Sequence, residues 1–120
     1  IWPQLHESGT LDGQFYSQRN LSDLVSFCAV GGVRVVPEIN IPGHCGAALF
    51  AMPEMAPDHH PKTFVSDWGI FDFALDFSRV LTQQVVRDVL NEVMSVFPDS
   101  FVHVGGDEVV WPTFSSTTLA

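Results

Sequence analysis

Gly31-Gly32-Val33-Arg34-Val35-Val36-Pro37-Glu38-Ile39 is the stretch that decides the fold, because it joins the end of a helix to a strand. Ser17 has the residue type of a helix N-cap. The apolar stripe that follows at helical spacing consists of Leu21, Leu24, Val25 and Cys28. Glycine suits the left-handed residue that ends a helix. The β-branched run directly after the glycines predicts a strand buried in a parallel sheet.

The same order returns later in the chain. A helical period begins near Arg79, Pro98-Asp99-Ser100 ends it, and Phe101-Val102-His103-Val104 predicts a second strand. Residues 1–16 and 40–76 are predicted as loops, the second one long enough to be functional. This order is typical of α/β proteins, in which helical crossovers join parallel strands. Two such strands cannot shield both faces of a sheet, which predicts a fragment of about two βα units from a larger assembly.

Composition excludes several classes of partner. The 120 residues include 14 acidic and 5 basic side chains, a formal charge of −9, which repels phosphate backbones and anionic membrane surfaces. We therefore expect no nucleic-acid partner. The apolar runs are far shorter than the roughly 20 residues that cross a bilayer, so no membrane span is expected. Cys28 and Cys45 lack the spacing of a metal or redox pair and are predicted to be buried free thiols.

Polar side chains follow both predicted strands, at the edge where parallel βα folds collect their reactive groups. The first strand leads to Glu38, Asn40 and His44, and the second to His103, Asp107 and Glu108. Gly105-Gly106 allows a sharp turn and a close approach to a ligand. Adjacent carboxyl groups raise each other's pKa, which suits a site with one protonated and one ionised group. The doublet therefore indicates a general acid beside a charge-stabilising carboxylate, or else an acidic pair in a solvated loop.

The remaining candidates each have two interpretations. His44 either binds a carboxylate and tunes its proton affinity or lies in water. His103 is interpreted as packing or a structural hydrogen bond, and His59-His60 as exposed rather than metal-binding. Aromatic side chains stack on sugars but also pack in loops and cores. The aromatic candidates are Trp68, Trp111 and Phe114, of which Trp111 lies three residues after Glu108.

Two motifs resemble those of the family 20 glycoside hydrolases. They are Val35-Val36-Pro37-Glu38-Ile39-Asn40-Ile41-Pro42-Gly43-His44 and the segment from Phe97-Pro98-Asp99 through His103-Val104-Gly105-Gly106-Asp107-Glu108-Val109. Trp2-Pro3-Gln4-Leu5 and Phe15-Tyr16-Ser17 also resemble the family's lead into the preceding helix. The resemblance implies that residues 1–120 are part of a catalytic (β/α)₈ TIM barrel, a β-N-acetylhexosaminidase that removes terminal non-reducing β-linked N-acetylhexosamine.

The resemblance also implies roles for individual residues. Glu108 is expected to be the acid/base, Asp107 to orient the substrate's acetamido group, and His44 to set the proton affinity of Glu108. Glu38, Asn40 and Trp111 are assigned to substrate binding. No metal and no organic cofactor is implied. The implied partner is a glycan ending in N-acetylglucosamine or N-acetylgalactosamine, and the family favours lysosomal or secreted use.

The chain departs from the family pattern at Asn40, which is usually Asp, at Cys45, often Thr, and at Phe114, often Trp. The family's sugar-gripping arginine lies upstream and most of its aromatic pocket downstream, so the chain alone is expected to be inactive. Two alternatives remain open. One is a metal-dependent barrel enzyme in which Glu38, Asp107 and Glu108 bind Mg²⁺ or another divalent cation. The other is a non-catalytic carbohydrate-binding relative.

Overall fold

Helices make up the regular structure of residues 1–110, the part of the chain that this computed structural model describes. The elements in chain order are α1 (Gln4–Glu7), α2 (Gln18–Val30), α3 (Gly46–Ala51), a 3₁₀ turn (Pro53–Met55) and α4 (Val80–Val96). None of these helices is both long and apolar enough to cross a membrane. The predicted helices correspond to α2 and α4, which each precede one of the two polar segments.

Both ends of α2 follow from its sequence. The Ser17 hydroxyl accepts the Asn20 N–H at 3.1 Å, and the Asn20 side chain accepts the Ser17 N–H at 3.1 Å, forming a capping box. At the other end, Gly32 has a φ of 73° and the Val33 N–H donates to the Cys28 carbonyl at 2.9 Å. This is the left-handed helix end that glycine favours. The predicted start and end of the helix are confirmed.

Helix α4 anchors the core. Thr82 and Val85 are buried on one face of it, and the Thr82 hydroxyl donates to the Met55 carbonyl at 3.1 Å. Seven buried residues form the core cluster: Cys45, Leu49, Met52, Met55, Ala56, Leu75 and Val85. Most of them lie in residues 40–76, a segment predicted as irregular. This long segment therefore packs against α4.

The predicted strands pair in the expected direction but do not form regular strands. Within residues 1–110 the pairing is a single parallel bridge between Glu38 and His103. The His103 N–H donates to the Pro37 carbonyl and the Ile39 N–H to the His103 carbonyl, both at 2.9 Å. The prediction of strands over 33–39 and 101–104 was therefore too long, although it placed the correct segments side by side.

Local chemistry stops the ladder on both sides of the bridge. Pro37 has no N–H to donate, and the Phe101 N–H is already bound to the Asp99 carboxylate at 2.9 Å. Beyond His103 the chain turns at Gly105, whose φ is 67°, and the Gly105 N–H donates to the His103 Nδ1 atom at 3.0 Å. The pairing is thereby confined to the residues next to the polar clusters.

The structure differs from the sequence-based expectations in the two predicted loops and at Cys28. Residues 1–16 contain α1 and residues 40–76 contain α3, two helices too short to show a hydrophobic period. Helix α2 buries no residue, and Leu24 on its apolar stripe is 48% exposed. Cys45 is buried as predicted, but Cys28 is only partly buried because it lies on this uncovered helix; both thiols are free.

Candidate active site

The turns after the two paired segments bring His44 against the acidic doublet. The His44 Nε2 atom lies 3.1 Å from the Glu108 Oε2 atom and 3.8 Å from the Asp107 Oδ2 atom. The His44 side chain is 29% exposed, whereas those of Glu108 and Asp107 are 49% and 62% exposed. The three side chains predicted to be catalytic therefore meet, in a position open to a ligand.

Unusual backbone conformations support this meeting. His44 has a φ of 50° and Glu108 a φ of 52°, in the left-handed region that non-glycine residues seldom occupy. Gly106, just before the doublet, has a φ of 102°. Such conformations cost free energy and cluster at functional sites, where the surrounding structure holds them. Within residues 1–110 the non-glycine residues with a positive φ are Asp12, His44 and Glu108, and the side chains of the last two are in contact.

Asn40 links the two segments through its side-chain amide. Its Nδ2 donates to the Asp107 Oδ1 at 2.8 Å, and its Oδ1 accepts the Gly106 N–H at 3.1 Å. The Asn40 bond lowers the pKa of Asp107, helped by the Asp107 backbone N–H and then by the charges of His44 and His103, while burial opposes this shift. A Cβ atom at Gly105 would collide with Asn40, so the glycine leaves room for this bridge.

Glu38 and His103 form a separate pair behind the doublet. The Glu38 Oε1 lies 3.5 Å from the His103 Nδ1, which also accepts the Gly105 N–H at 3.0 Å. The interpretation of His103 as a structural hydrogen-bonding residue is consistent with this contact. Glu38 stays apart from the cluster of His44, Asp107 and Glu108, so the metal site proposed from Glu38 and the doublet is not brought together.

A different trio has the spacing that a metal would require. Within residues 1–110, one ligand atom each from His44, Asp107 and Glu108 lies within 4.8 Å of the others. All three residues are exposed, and exposed acidic groups adopt such spacings without any ion. A proton shared between imidazole and carboxylate accounts for the contact between His44 and Glu108 without an ion.

A pocket of about 590 Å³ opens beside the doublet. His44 and Glu108 line it together with the side chains of Val65, Trp68, Ile70 and Phe71. Trp68 is fully exposed there, with an apolar ring available to a ligand. Trp68 was a predicted sugar-stacking residue, whereas the other wall residues were not predicted, although the aromatic density of residues 64–77 was a usable signal. Trp111 and Phe114 lie outside the described residues.

His59 and His60 are partly buried, contrary to the prediction that they are exposed. The His60 Nδ1 is 3.1 Å from the Ala56 carbonyl. The His59 Nε2 lies 3.1 Å from the Asp72 Oδ2 but forms no well-directed hydrogen bond, so this contact is better described as an ion pair when His59 is protonated. The packing of the loop against the core covers part of each residue. Neither residue belongs to a metal-sized cluster within residues 1–110.

Comparison with known proteins gives consistent relatives. A β-N-acetylhexosaminidase of Cellulomonas fimi is 35% identical over 98 residues, covering 82% of this chain and 20% of that protein. A β-hexosaminidase of Vibrio furnissii is 36% identical over 103 residues, covering 82% of this chain and 17% of that protein. The chain thus spans a fifth or less of the length of these curated relatives.

Solved structures show the same likeness in three dimensions. The Streptomyces plicatus N-acetyl-β-hexosaminidase in complex with Thio-NAglucal matches with a TM-score of 0.81 at 29% identity, over 89% of this chain and 23% of that one. A chitobiase of Flavobacterium johnsoniae matches with a TM-score of 0.78 at 34% identity, over 88% of this chain and 16% of that one.

The profile of the glycosyl hydrolase family 20 catalytic domain matches residues 2–120, a range that includes both paired segments, His44 and the acidic doublet. The contacts among these residues and the likeness to the solved structures agree with that match. The chain belongs to glycosyl hydrolase family 20, as a part of its catalytic domain.

Proposed function

We propose that the full-length protein containing this chain is a retaining β-N-acetylhexosaminidase, which removes terminal non-reducing β-linked N-acetylhexosamine from glycans. The observation that carries the proposal is the pairing of Glu108 with His44, next to an Asp107 that is held by Asn40. One carboxyl group is thus placed to exchange a proton, while its neighbour is placed to remain negative.

The reaction follows from this division of roles. Glu108, protonated, donates its proton to the glycosidic oxygen as the bond from that oxygen to the anomeric carbon breaks. The acetamido oxygen of the substrate attacks the anomeric carbon from the other face and forms an oxazolinium ion, so no protein nucleophile is needed. Glu108, now ionised, then takes a proton from a water molecule that opens this ion. Two inversions leave the product in the β configuration.

Asp107 supplies the complementary charge. Its lowered pKa keeps the carboxylate ionised, and an ionised carboxylate stabilises the positive charge that develops on the acetamido group. The same carboxylate can accept the acetamido N–H, which turns the acetamido oxygen toward the anomeric carbon. A fixed negative group of this kind acts on the transition state more than on the bound substrate, so it contributes mainly to kcat.

His44 is the proposed partner of the acid. Its Nε2 lies within hydrogen-bonding distance of the Glu108 Oε2, at 3.1 Å, so it orients the carboxyl group and adjusts its proton affinity. Both residues have a left-handed backbone, and both line the pocket beside the doublet.

We further infer that the two paired segments are neighbouring strands of a (β/α)₈ barrel that is completed by the rest of the protein. The parallel Glu38–His103 bridge and the order of α2 and α4 before the paired segments support this arrangement. In such barrels the active site lies at the carboxyl ends of the strands. His44, Asp107 and Glu108 all follow the bridged residues in their segments, as that rule requires.

The proposed substrate is a glycan ending in N-acetylglucosamine or N-acetylgalactosamine. The curated relatives are named β-hexosaminidases, and a β-hexosaminidase of Streptomyces plicatus has been solved with its product GlcNAc. Glu38 and Trp111 remain predicted substrate contacts. Action in lysosomes or outside the cell, without a cofactor, also remains a prediction from the family.

The test is hydrolysis of aryl β-N-acetylglucosaminides and β-N-acetylgalactosaminides by the full-length protein, from about pH 4 to 8, across the carboxyl and histidine titrations. We expect aryl alcohol release, a β-configured sugar as the first product by NMR, and loss of release with Asp107→Asn. Activity should survive a chelator. No release at any pH would favour a non-catalytic relative, and loss with the chelator would favour the metal-dependent alternative.

A further inference from the structure

The Asn40 side chain binds both the acidic doublet and the turn that carries it. Its Nδ2 donates to the Asp107 Oδ1 at 2.8 Å, while its Oδ1 accepts the Gly106 N–H at 3.1 Å. An asparagine amide has one acceptor end and one donor end, and both are used here in the required sense. The two bonds together fix the orientation of the amide and the direction of the Asp107 carboxylate.

The position of Asn40 in the chain makes the bridge rigid. Asn40 comes two residues after Glu38 of the parallel bridge, and the Ile41 N–H that follows donates to the Val104 carbonyl at 3.0 Å. Gly105 packs so closely on Asn40 that a Cβ atom there would collide with its side chain. The amide is thus held between two bonded backbone segments rather than on a free loop.

We propose that Asn40 is a positioning residue for the N-acetylhexosaminidase reaction, whose amide bridge aims the Asp107 carboxylate and keeps it negative without sharing a proton. This inference rests on the proposed function of the site. The family usually has Asp at position 40. The carboxyl group of that Asp would face the Asp107 Oδ1 at the same distance. Two carboxylates so close cannot both ionise freely, so they would need to share a proton.

The charged groups around Asp107 determine how a carboxyl group at position 40 would change the site. His44 is 3.8 Å away on one side, Glu108 is its chain neighbour, and His103 lies behind the Gly105 turn beside Glu38. None of these groups changes when Asn40 is replaced. Asn40→Asp therefore adds one titratable carboxyl group. When the pH is raised and the shared proton is lost, this group puts a negative charge next to Asp107.

The experiment compares two variants of the full-length protein, Asn40→Asp and Asn40→Leu, through pH profiles of kcat and KM. In Asn40→Asp, the shared proton preserves the bridge at low pH, so kcat should approach the parental value there. The kcat of Asn40→Asp should then fall as the pH rises, within the pH range in which the parent is still active. Asn40→Leu cannot form the bridge, and its kcat should fall about 10- to 100-fold at every pH, with KM little changed.

The control is Asn91→Asp, the same change on the exposed side of α4. It should leave kcat, KM and the pH profile as in the parent. Reversibility separates chemistry from unfolding, because lowering the pH of one Asn40→Asp sample should restore its kcat. Thermal unfolding at both pH values checks that the variant stays folded.

The results that would overturn the proposal are distinct from failure of the proposed function. Asn40→Asp and Asn40→Leu with the kcat and pH profile of an active parent would show that the bridge is not used. A loss confined to KM in both variants would make Asn40 a substrate contact instead. A parent with no hydrolysis at any pH would refute the proposed function itself, and with it the basis for assigning Asn40 any role in that reaction.

Discussion

His44 and Glu108 adopt the same left-handed backbone conformation, with φ values of 50° and 52°, and their side chains meet at 3.1 Å. They are 64 residues apart in the chain, so their contact depends on the parallel pairing that precedes them and not on local sequence. Because this conformation is unfavourable for both residues, other interactions in the fold offset its cost and bring one imidazole and one carboxyl group together.

The first prediction concerns proton donation by Glu108. In the full-length protein, Glu108→Gln should lower kcat/KM for substrates with poor leaving groups by about 10²- to 10⁴-fold, the usual contribution of a general acid. The loss should shrink for a dinitrophenyl leaving group, which departs without a proton. The measurement is kcat/KM against leaving-group pKa.

The control for this change is Glu54→Gln, in the exposed part of the 3₁₀ turn, which should behave as the parent. A Glu108→Gln loss that is equal for every leaving group would argue against an acid role. It would instead indicate that the side chain only binds or supports the site.

The second prediction separates the side chain of His44 from its backbone. Asparagine tolerates the left-handed region, so His44→Asn should remove the imidazole and lower kcat/KM about 10- to 100-fold while the melting temperature stays near that of the parent. Valine is β-branched and strongly disfavoured there, so His44→Val should lose activity and also about 1–3 kcal/mol of stability. Thermal unfolding and kcat/KM measured on the same samples test both. Parental activity in the Asn variant would remove His44 from the mechanism.

The third prediction concerns the wall of the pocket. Trp68 is fully exposed beside His44 and Glu108, and aromatic stacking contributes about 0.5–1.5 kcal/mol. Trp68→Ala should therefore raise KM for a disaccharide of N-acetylglucosamine about 2- to 10-fold. Phe27→Ala, which removes another exposed ring from α2, should have no effect. Equal KM values for Trp68→Ala and the parent would assign Trp68 to packing against parts of the protein beyond this chain.

Local features of the fold were predictable and distant ones were not. Each cap of α2 forms its hydrogen bonds within a few residues, Ser17 with Asn20 and the Gly32 turn between Val33 and Cys28, so both ends are recognisable from sequence alone. The extent of strand pairing depends on which N–H groups remain free. Pro37 and the Asp99 bond to Phe101 end the ladder, and the Asp99 carboxylate is also bound by Arg34, 65 residues earlier in the chain, a contact that the sequence does not reveal.

The candidate site shows the same limit. Residue types and their place after the strands indicated His44, Asp107 and Glu108. Nothing in the sequence shows that the Asn40 amide binds Gly106 and Asp107, because these partners lie 66 and 67 residues further along the chain. The left-handed conformation of His44 was also hidden, since left-handed residues are expected at glycine and this one is imposed by tertiary contacts.

The last prediction uses Cys45, the residue next to His44. Its side chain is buried in the core cluster, and burial raises the pKa of the thiol from 9.0 to about 11. The folded chain therefore holds this proton more tightly than the unfolded chain. The resulting stability is fully present below about pH 9 and is lost as the pH rises toward about 11.

Two measurements check this on the full-length protein. At pH 8 only about one Cys45 thiol in a thousand is ionised, so native Cys45 should resist iodoacetamide and react after denaturation, as mapped by peptide mass spectrometry. The melting temperature should fall less steeply between pH 9 and 11 in Cys45→Ser than in the parent, because the serine hydroxyl does not titrate there. Rapid alkylation of native Cys45 would mean that the thiol is accessible in the folded protein, and identical slopes in the two proteins would mean that burial does not raise its pKa.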